Sequence, residues 1–562
     1  MIASTVGLAL SILASAVSAA AAPAPSSGLV SADEQKAADA ISAPLLSAHI
    51  QFLASDLLEG RGPATRGDRL ALEYVATELA SMGFQPAAPE GGWIQKVPLV
   101  SITPKTPDPM VFASGGKKVE LQGRADFVAF PGIAKPDVKI EEAELVFVGY
   151  GIVAPEFQWD DYKDADLRGK VLVMMNNDPE NDPKLFAGTT RLRYGRWDYK
   201  YEMAGKKGAA GALLIHTTHS AGYPWQVVQT SWSGSKFELP YEGEPRVQVK
   251  GWMTEDASRK VVALGGQDLD RLRASAERRD FRPVPLGVRL SYAMASEIRQ
   301  VESGNVIGKL PGSDPALANQ AVLYTAHHDH LGIKPGLPPG ADAICNGAVD
   351  NASGVAAMLA IAKAFAALPK APRRSIYFAS VTAEEQGLLG SEYLSKHPPI
   401  PTGRIAANIN IDGINIFGRT KDLTMIGFGK SNLDDTIVAL AAVQGRVVKS
   451  DQFPDRGSFY RSDQFNLARA GVPAAYFAEG TDFVGRPAGW GKEQIEKWEA
   501  THYHQPSDEF HADWDLSGAV EDVRLDFYLG VKVANQDALP AWKSGDEFES
   551  ARKRALAEPV SR

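Results

Sequence analysis

The sequence of 562 residues contains one cysteine, Cys345. An intrachain disulfide is therefore impossible, and a zinc site made of cysteine thiolates is excluded. An excess of basic residues is also missing, since the net charge is −9. Proteins that bind nucleic acids use clustered Lys and Arg to neutralise phosphates. We therefore expect no nucleic-acid partner.

Charged side chains are missing from the first 22 residues, in which an apolar run over 6–17 precedes the small residues of 18–22. This pattern is typical of a secretory signal peptide, and the alternative is an uncleaved N-terminal anchor. We predict a signal peptide at 1–22 and export to the periplasm or the medium. No later apolar run approaches the roughly 18 residues of a membrane-spanning helix. No stable membrane insertion is therefore expected after signal removal.

The second half of the chain alternates strand-like and helical patterns. A hydrophobic content of 44% with 23% charged residues is typical of a globular protein. Short apolar strands alternating with helices predict an α/β fold, a mostly parallel mixed sheet flanked by helices. The predicted strands are 321–326, 375–382, 405–411 and 472–477, with a helix at 353–368.

The length predicts two or three domains, because single cores stop growing at about 250–300 residues. A helix at 68–82 and a strand at 93–100 are predicted before a β-rich region. The predicted organisation is the signal peptide 1–22, an N-terminal part of the catalytic domain 30–125, an inserted β-rich domain 126–290, the catalytic domain 291–542 and a charged, solvated tail 543–562.

Candidate metal ligands follow three of the predicted strands. His327, the pair Glu384-Glu385 and Asp412 each stand at a strand's carboxyl end, where sheets of this type bind ligands. Imidazole and carboxylate without thiolate suit zinc, and Co²⁺ or Mn²⁺ accepts the same set. Asp350, in a Gly-rich turn before a helix, is a candidate to bridge two metals.

Five successive motifs resemble those of the M28 zinc peptidases, a family of dizinc aminopeptidases and their carboxypeptidase relatives. They are TAHHDHLG at 325–332, NGAVDNASG at 346–354, TAEEQGLLGS at 382–391, NID at 410–412 and YHQPSD at 503–508.

The resemblance implies two zinc ions per chain and a role for each matched residue. One zinc takes His327 and Asp412, the other takes Glu385 and His504, and Asp350 bridges them. It also implies that Asp329 stands behind His327, that Glu384 is the general base, and that the peptide bond between Asp350 and Asn351 is cis.

Neighbouring residues offer alternatives. Strand alternation puts His328 on the opposite face from His327, and we interpret His328 and His330 as wall residues. His502 competes with His504 for the last ligand position. Tyr460, within a segment similar to one that lines the cleft in the family, either donates a hydrogen bond to an oxyanion or is a packed aromatic.

The β-rich region resembles a protease-associated domain in Val146–Gly151 and Leu167–Val171. Such an insertion would overhang the cleft and limit substrate size, and the alternative is a passive structural insertion.

The predicted function is that of an exported dizinc aminopeptidase acting on peptides. A carboxypeptidase or dipeptidase on the same scaffold is an alternative that needs a cation for the terminal carboxylate, for which Arg461 and Arg456 are candidates. A glutaminyl cyclase-like enzyme would use a single zinc, and a non-catalytic binding module would lack ligands or the base. No segment indicates a particular oligomeric state.

Overall fold

A computed structural model describes residues 28–558 except 181, 183, 233 and 335–337. The predicted signal peptide at 1–22 lies outside the described residues.

The described chain forms three successive groups of elements. The first comprises α1 Ala32–Ala38, α2 Ala43–Leu53, α3 Arg66–Ser81, β1 Gln85–Pro86 and β2 Ile94–Lys105. The second comprises β3 Met110–Ser114, β4 Lys117–Leu121, β5 Phe127–Pro131, β6 Asp137–Phe147, β7 Val153–Ala154, β8 Trp159–Asp160, β9 Val171–Met175, α4 Trp197–Lys206, β10 Gly211–His216, α5 Thr218–Ala221, α6 Trp225–Ser231, β11 Lys236–Glu238, β12 Val249–Thr254, α7 Glu255–Leu264, α8 Leu269–Ala276 and β13 Val284–Leu310. The third comprises β14 Ala321–His327, β15 Gly332–Ile333, β16 Ile344–Cys345, α9 Gly354–Ala366, β17 Ser375–Val381, α10 Leu389–Lys396, β18 Ile405–Asn410, β19 Asp422–Ile426, α11 Leu433–Val443, β20 Val447–Ser450, α12 Gln464–Arg469, β21 Ala474–Ala478, α13 Trp490–Thr501, α14 Ser517–Asn535 and α15 Glu549–Ala557.

The third group builds a mixed sheet whose centre is parallel. β17, β14, β18 and β21 are neighbours in that order and run parallel. β13 pairs antiparallel with β17 at one side, and β19 pairs antiparallel with β21 at the other. Every residue of β14, β17 and β18 is buried, because helices cover both faces. The predicted fold class is confirmed.

The inserted region builds a second sheet, which one long strand joins to the first. β13 spans 27 residues. Its first part pairs with β6 and its last part with β17. Its burial alternates in the first part, where one face is solvated, and becomes continuous over Gly304–Gly308.

The predicted bounds of the inserted domain, 126 and 290, both lie within the second group of elements. The position 290 lies in the middle of β13. Met110 and Phe112, upstream of the predicted start at 126, already pack in the hydrophobic cluster of the insertion.

The main core lies between the mixed sheet of the third group and the helices α2, α3, α9 and α14. Phe365 on α9 is its aromatic centre, with ring centroids 4.9 Å from Phe527, 5.9 Å from Tyr324 and 6.2 Å from Phe378. The segment Ala348–Ala366 has the length and apolarity of a membrane span, but 83% of its apolar window is buried inside the fold.

The C-terminal segment is packed against the sheet domain, and the expectation of a solvated tail was wrong. Phe548 and Arg552 are buried. The Arg552 guanidinium donates to the carbonyl oxygen of Ile405 at 3.0 Å. The buried side chains of Phe548 and Arg552 therefore anchor the C-terminal part of the described chain beneath β18.

Replacing Phe365 with alanine should destabilise the protein by about 3–5 kcal/mol, the usual cost of truncating a buried phenylalanine. The measurement is the midpoint of denaturant unfolding of the full chain. The control is Val438→Ala on α11, where the side chain is 40% exposed, and there we expect a change within about 0.5 kcal/mol. Equal shifts in the two variants would contradict the assigned core.

Candidate metal centre

The predicted ligands converge at the carboxyl edge of the parallel strands. His327 ends β14, Glu384 and Glu385 follow β17, and Asp412 follows β18. Asp350 lies in the turn before α9, and His504 lies in the loop after α13. Parallel strands bring their carboxyl ends to one edge, and two further loops complete the cluster there.

His327 forms the first half of the cluster. Its Nε2 lies 3.3 Å from Asp412 Oδ1, 3.4 Å from Asp350 Oδ1 and 4.0 Å from Glu384 Oε2. The ring is buried and directs this nitrogen toward three carboxylates.

His504 forms the second half. Its Nε2 lies 3.3 Å from Asp350 Oδ2 and 3.1 Å from Glu385 Oε2. Asp350 thus presents one oxygen to each imidazole. That arrangement is the one a bridging carboxylate between two cations requires.

Charge and burial shift the pKa values of these groups in opposite directions. Burial raises the pKa of Glu384 well above its ordinary value, and the neighbouring carboxylates Asp412 and Glu385 add to the effect. Burial also acts on Glu385, but the imidazoles of His504 and His330 outweigh it and lower the pKa of Glu385 to about 2. Two adjacent carboxyl groups therefore differ in basicity, and Glu384 is the better proton acceptor.

Asp508 holds the turn that carries Asp350. Its carboxylate accepts hydrogen bonds from the Val349 N–H at 2.9 Å and the Asp350 N–H at 3.1 Å. The bond between Asp350 and Asn351 is cis, as the family resemblance implied. The Asn351 side chain donates to the Ile411 carbonyl at 3.0 Å and accepts from the Gly413 N–H at 2.9 Å. The turn is thereby tied to the loop that carries Asp412.

Arg61 is a second fixing point, and no sequence pattern indicated it. The guanidinium is fully buried and donates to the carbonyl oxygens of Leu53, His328 at 2.7 Å, Asn346 at 2.6 Å and Gly347 at 2.9 Å. Burial lowers the pKa of Arg61 to about 10, so the group stays charged at neutral pH. Arg61 connects the segments around His327 and Asp350.

His328 and His330 differ in their surroundings. His328 points away from the cluster, with Nδ1 3.1 Å from Ser380 Oγ and Nε2 3.2 Å from Asp68 Oδ1, as strand alternation predicted. His330 does reach the cluster, because its Nδ1 lies 2.6 Å from Glu385 Oε1. His330 can form a ligand group with Asp350 and Glu385. It therefore contacts Glu385, which is a candidate metal ligand.

Asp329 acts on both His327 and Glu384. Its carbonyl oxygen lies 3.2 Å from His327 Nδ1, closer than its carboxylate at 3.7 Å. The carboxylate instead accepts from the Glu384 N–H at 3.0 Å. Asp329 therefore orients the imidazole mainly through its backbone and fixes the Glu384 loop through its side chain.

Tyr460 does not join the cluster, and the expectation that its hydroxyl faces an oxyanion was wrong. The hydroxyl donates to Glu547 Oε1 at 2.7 Å. The ring packs with Phe459 and Phe465. Tyr460 is therefore a packed aromatic residue, which was the alternative interpretation from the sequence.

Tyr503 is the phenol that adjoins the cluster, and sequence reasoning missed it. Its ring stacks on His504 with centroids 3.8 Å apart. Burial raises the pKa of Tyr503, so its hydroxyl stays protonated. Its position directly before His504 in the sequence was the available signal.

The inserted region reaches this edge of the sheet. The Arg191 N–H donates to the Pro454 carbonyl oxygen at 2.9 Å. On β11, burial lowers the pKa of Lys236, and the charge of Glu385 partly opposes this effect, so the two groups lie within electrostatic range. The insertion therefore adds cationic side chains beside an acidic cluster.

Several buried polar atoms of the cluster lack a hydrogen-bond partner among the described residues. They include Asp329 Oδ2 and His330 Nε2. Buried groups of this kind call for an unseen partner, and imidazole with carboxylate is a donor set for zinc and similar ions. The residues fit a metal centre. His327, Glu384 and Asp412 offer atoms that lie within 4.8 Å of one another, as do His330, Asp350 and Glu385.

The fold and the cluster together define an α/β protein with a carboxylate and imidazole centre at the ends of its parallel strands. Residues 305–528 match the model of Peptidase family M28. The matched residues include His327, Asp350, Glu385, Asp412 and His504.

Individual relatives are similar over parts of their length. Mouse aminopeptidase NAALADL1 is 34% identical over 143 residues, which cover 24% of this chain and 16% of that protein. Leupeptin-inactivating enzyme 1 of Streptomyces exfoliatus is 26% identical over 223 residues, 40% of this chain and 45% of that protein. The chain thus spans less than half the length of these two curated relatives.

A solved structure shares the overall fold. The aminopeptidase from Aneurinibacillus sp. strain AM-1 superposes with a TM-score of 0.53 at 19% identity, covering 90% of this chain and 97% of that one.

Replacing Arg61 with methionine should destabilise the protein by about 3–5 kcal/mol, because buried carbonyl oxygens lose a charged donor. The measurement is the shift of the denaturant unfolding midpoint. The control, Arg66→Met, removes an exposed arginine that makes one hydrogen bond to the Leu57 carbonyl, and we expect a change below about 1 kcal/mol. A stable Arg61→Met protein would contradict the anchoring role.

Proposed function

We propose that the protein is a zinc-dependent aminopeptidase that binds two metal ions and releases N-terminal residues from peptides. The observation that carries the proposal is Asp350, whose two oxygens face two different imidazoles. Each imidazole faces a further carboxylate, Asp412 for His327 and Glu385 for His504. Two ligand sets sharing one carboxylate are typical of dinuclear hydrolases.

Glu384 would act as the general base. Bound zinc lowers the pKa of water and polarises a carbonyl group. Glu384 Oε2 lies at the rim of the His327 ligand set, 4.0 Å from Nε2, and its raised pKa makes it a proton acceptor. It takes a proton from the attacking water and delivers it to the departing amine. The hydroxyl of Tyr503, whose ring stacks on His504, would donate a hydrogen bond to the oxygen of the tetrahedral intermediate.

The acidity of the cluster favours an aminopeptidase. A substrate with a free N-terminal ammonium gains from the carboxylates of Glu384, Glu385 and Asp412, whereas a blocked N-terminus does not. The aminopeptidase names of the relatives support the same polarity.

A dipeptidase is the second candidate, and Arg461 is the observation that favours it. Its guanidinium donates to the Tyr503 hydroxyl at 3.2 Å. A cation beside His504 can receive the terminal carboxylate of a short substrate.

Leucyl anilide and leucyl dipeptides should be hydrolysed, and N-acetylated forms of the same substrates should not. The assay measures product release after chelation and zinc restoration. Glu384→Gln should lose about 10²–10⁴-fold in kcat, the contribution usual for a general base, while its zinc content stays that of the unmutated protein.

The matched control is Glu392→Gln, on α10, where the carboxylate pairs with Lys396 on the protein surface. We expect unchanged activity there. Hydrolysis of the acetylated substrates in preference to the free ones would overturn the aminopeptidase polarity. Full activity of Glu384→Gln would overturn the base assignment.

Metal content should distinguish His504 from His330. We expect two zinc ions per chain in the unmutated protein and in His330→Asn, and one in His504→Asn, because Nε2 of His504 faces both Asp350 and Glu385. Elemental analysis after dialysis measures the stoichiometry without requiring activity. Loss of one ion from His330→Asn but not from His504→Asn would exchange the two assignments.

A further inference from the structure

The side chain of Tyr503 lies between Arg461 and His504 of the candidate metal centre. Arg461 follows the turn Ser458–Tyr460 and is half-buried. Its Nη2 donates to the hydroxyl of Tyr503, whose ring stacks on His504. The guanidinium therefore faces the space where groups next to the scissile bond of a bound peptide would lie.

No carboxylate among the described residues forms an ion pair with Arg461. Its neighbour Arg456, by contrast, pairs with Glu499. The phenol of Tyr503 raises the pKa of Arg461, burial opposes it, and Tyr223 and the carboxylate of Glu499 add smaller increases. A guanidinium carries five N–H donors. Among the described residues, one of the donors of Arg461 makes a hydrogen bond, and its acceptor is the Tyr503 hydroxyl.

The inserted region supplies two further arginines to the same space. Arg191 is 6% exposed, and its Nε lacks a hydrogen-bond partner among the described residues. A Cβ added to Gly457, four residues before Arg461, would lie 3.2 Å from the side chain of Arg191. Burial lowers the pKa of Arg191, and the carboxylate of Asp178 partly opposes this effect. The charge of Arg461 lowers the pKa of Arg191 further, so the two cations lie within electrostatic range.

Arg196 is the third cation and is only weakly compensated. Its Nε lies 3.9 Å from Asp198 Oδ1, but that same oxygen is 2.7 Å from Arg193. Burial lowers the pKa of Arg196 to about 10, and Arg461 contributes in the same direction. Desolvated cations that repel one another are costly unless an anion joins them.

We propose that Arg461, supported by Arg191 and Arg196 of the inserted region, binds a carboxylate of the substrate. Guanidinium groups bind carboxylates through paired, charge-assisted hydrogen bonds. Because Arg461 adjoins His504, the carboxylate must lie within a residue or two of the scissile bond. The preferred substrates are then short peptides with a free C-terminus, or peptides with an acidic side chain next to that bond. This inference rests on the proposed peptidase function and specifies its substrate class.

Two substrate pairs in the zinc-loaded full chain separate the sources of the carboxylate. Leu-Gly against Leu-Gly amide tests the C-terminus, and glutamyl anilide against glutaminyl anilide tests the side chain. The unmutated protein should prefer the carboxylate member of one pair by about 10- to 100-fold in kcat/KM, the size expected for a charge-assisted hydrogen-bonded pair. Arg461→Met should abolish that preference, and Arg461→Lys should retain part of it.

Binding gives a readout that does not need turnover. In Glu384→Gln protein, calorimetry of Leu-Gly and Leu-Gly amide, or of the glutamyl and glutaminyl anilides, should show tighter binding of the same carboxylate member. Adding Arg461→Met should remove this difference. The control is Arg299→Met, which removes an exposed arginine paired with Glu297 on β13 and should leave both ratios unchanged.

Failure of this inference is distinct from failure of the proposed function. Hydrolysis without any carboxylate preference in either pair would overturn the inference and leave the peptidase assignment intact. Equal losses by Arg461→Met on charged and uncharged substrates would also overturn it, since Arg461 would then only position Tyr503. A protein that hydrolyses none of these substrates, yet loses selective binding of one carboxylate ligand on Arg461→Met, would support the inference and refute the peptidase.

Discussion

Crowding of negative charge at one sheet edge is the constraint on which the rest of the structure depends. Glu384 and Asp412 offer oxygens within 4.8 Å of each other, as do Asp350 and Glu385. Like charges at that distance repel by about 3–4 kcal/mol at an effective dielectric constant near 20. Two imidazoles offset part of the repulsion, and cations bound between the carboxylates would offset the rest. Bound cations, and protonation of Glu384, whose pKa is raised by burial and by its neighbouring carboxylates, are two ways to reduce this repulsion.

The fold resists this repulsion by fixing the loops rather than the side chains alone. Arg61 joins the segments around His327 and Asp350 through backbone carbonyls, and Asp508 holds the Asp350 turn through backbone N–H groups. Ala383 and His504 adopt positive φ values of 54° and 59°. Such conformations are unfavourable for these residues and persist where surrounding contacts enforce them. The ligand geometry is thus built into the backbone before any ion binds.

The sequence predicted the strand-end residues because their positions follow from local patterns and one rule of sheet geometry. His327, Glu385 and Asp412 each follow an apolar strand, and parallel strands end together. Arg61 could not be predicted in this way, since its partners are carbonyl oxygens that any residue provides. The expectation that the Tyr460 hydroxyl faces an oxyanion was wrong, because sequence spacing does not determine the direction of an aromatic side chain. The boundary predicted near 290 lies within β13, which continues through both sheets, so no turn residue marks a boundary there.

The inserted region changes the electrostatic character of the cleft. The metal centre alone is acidic and suits an ammonium group, whereas Arg191 and Arg196 from the insertion and Arg461 beside them are cationic. A cleft with opposite charges at its two ends orients a zwitterionic peptide, because the reversed orientation brings like charges together at both ends. The distance between the two ends then limits substrate length. In the proposed function, the insertion would influence selectivity without contributing a metal ligand.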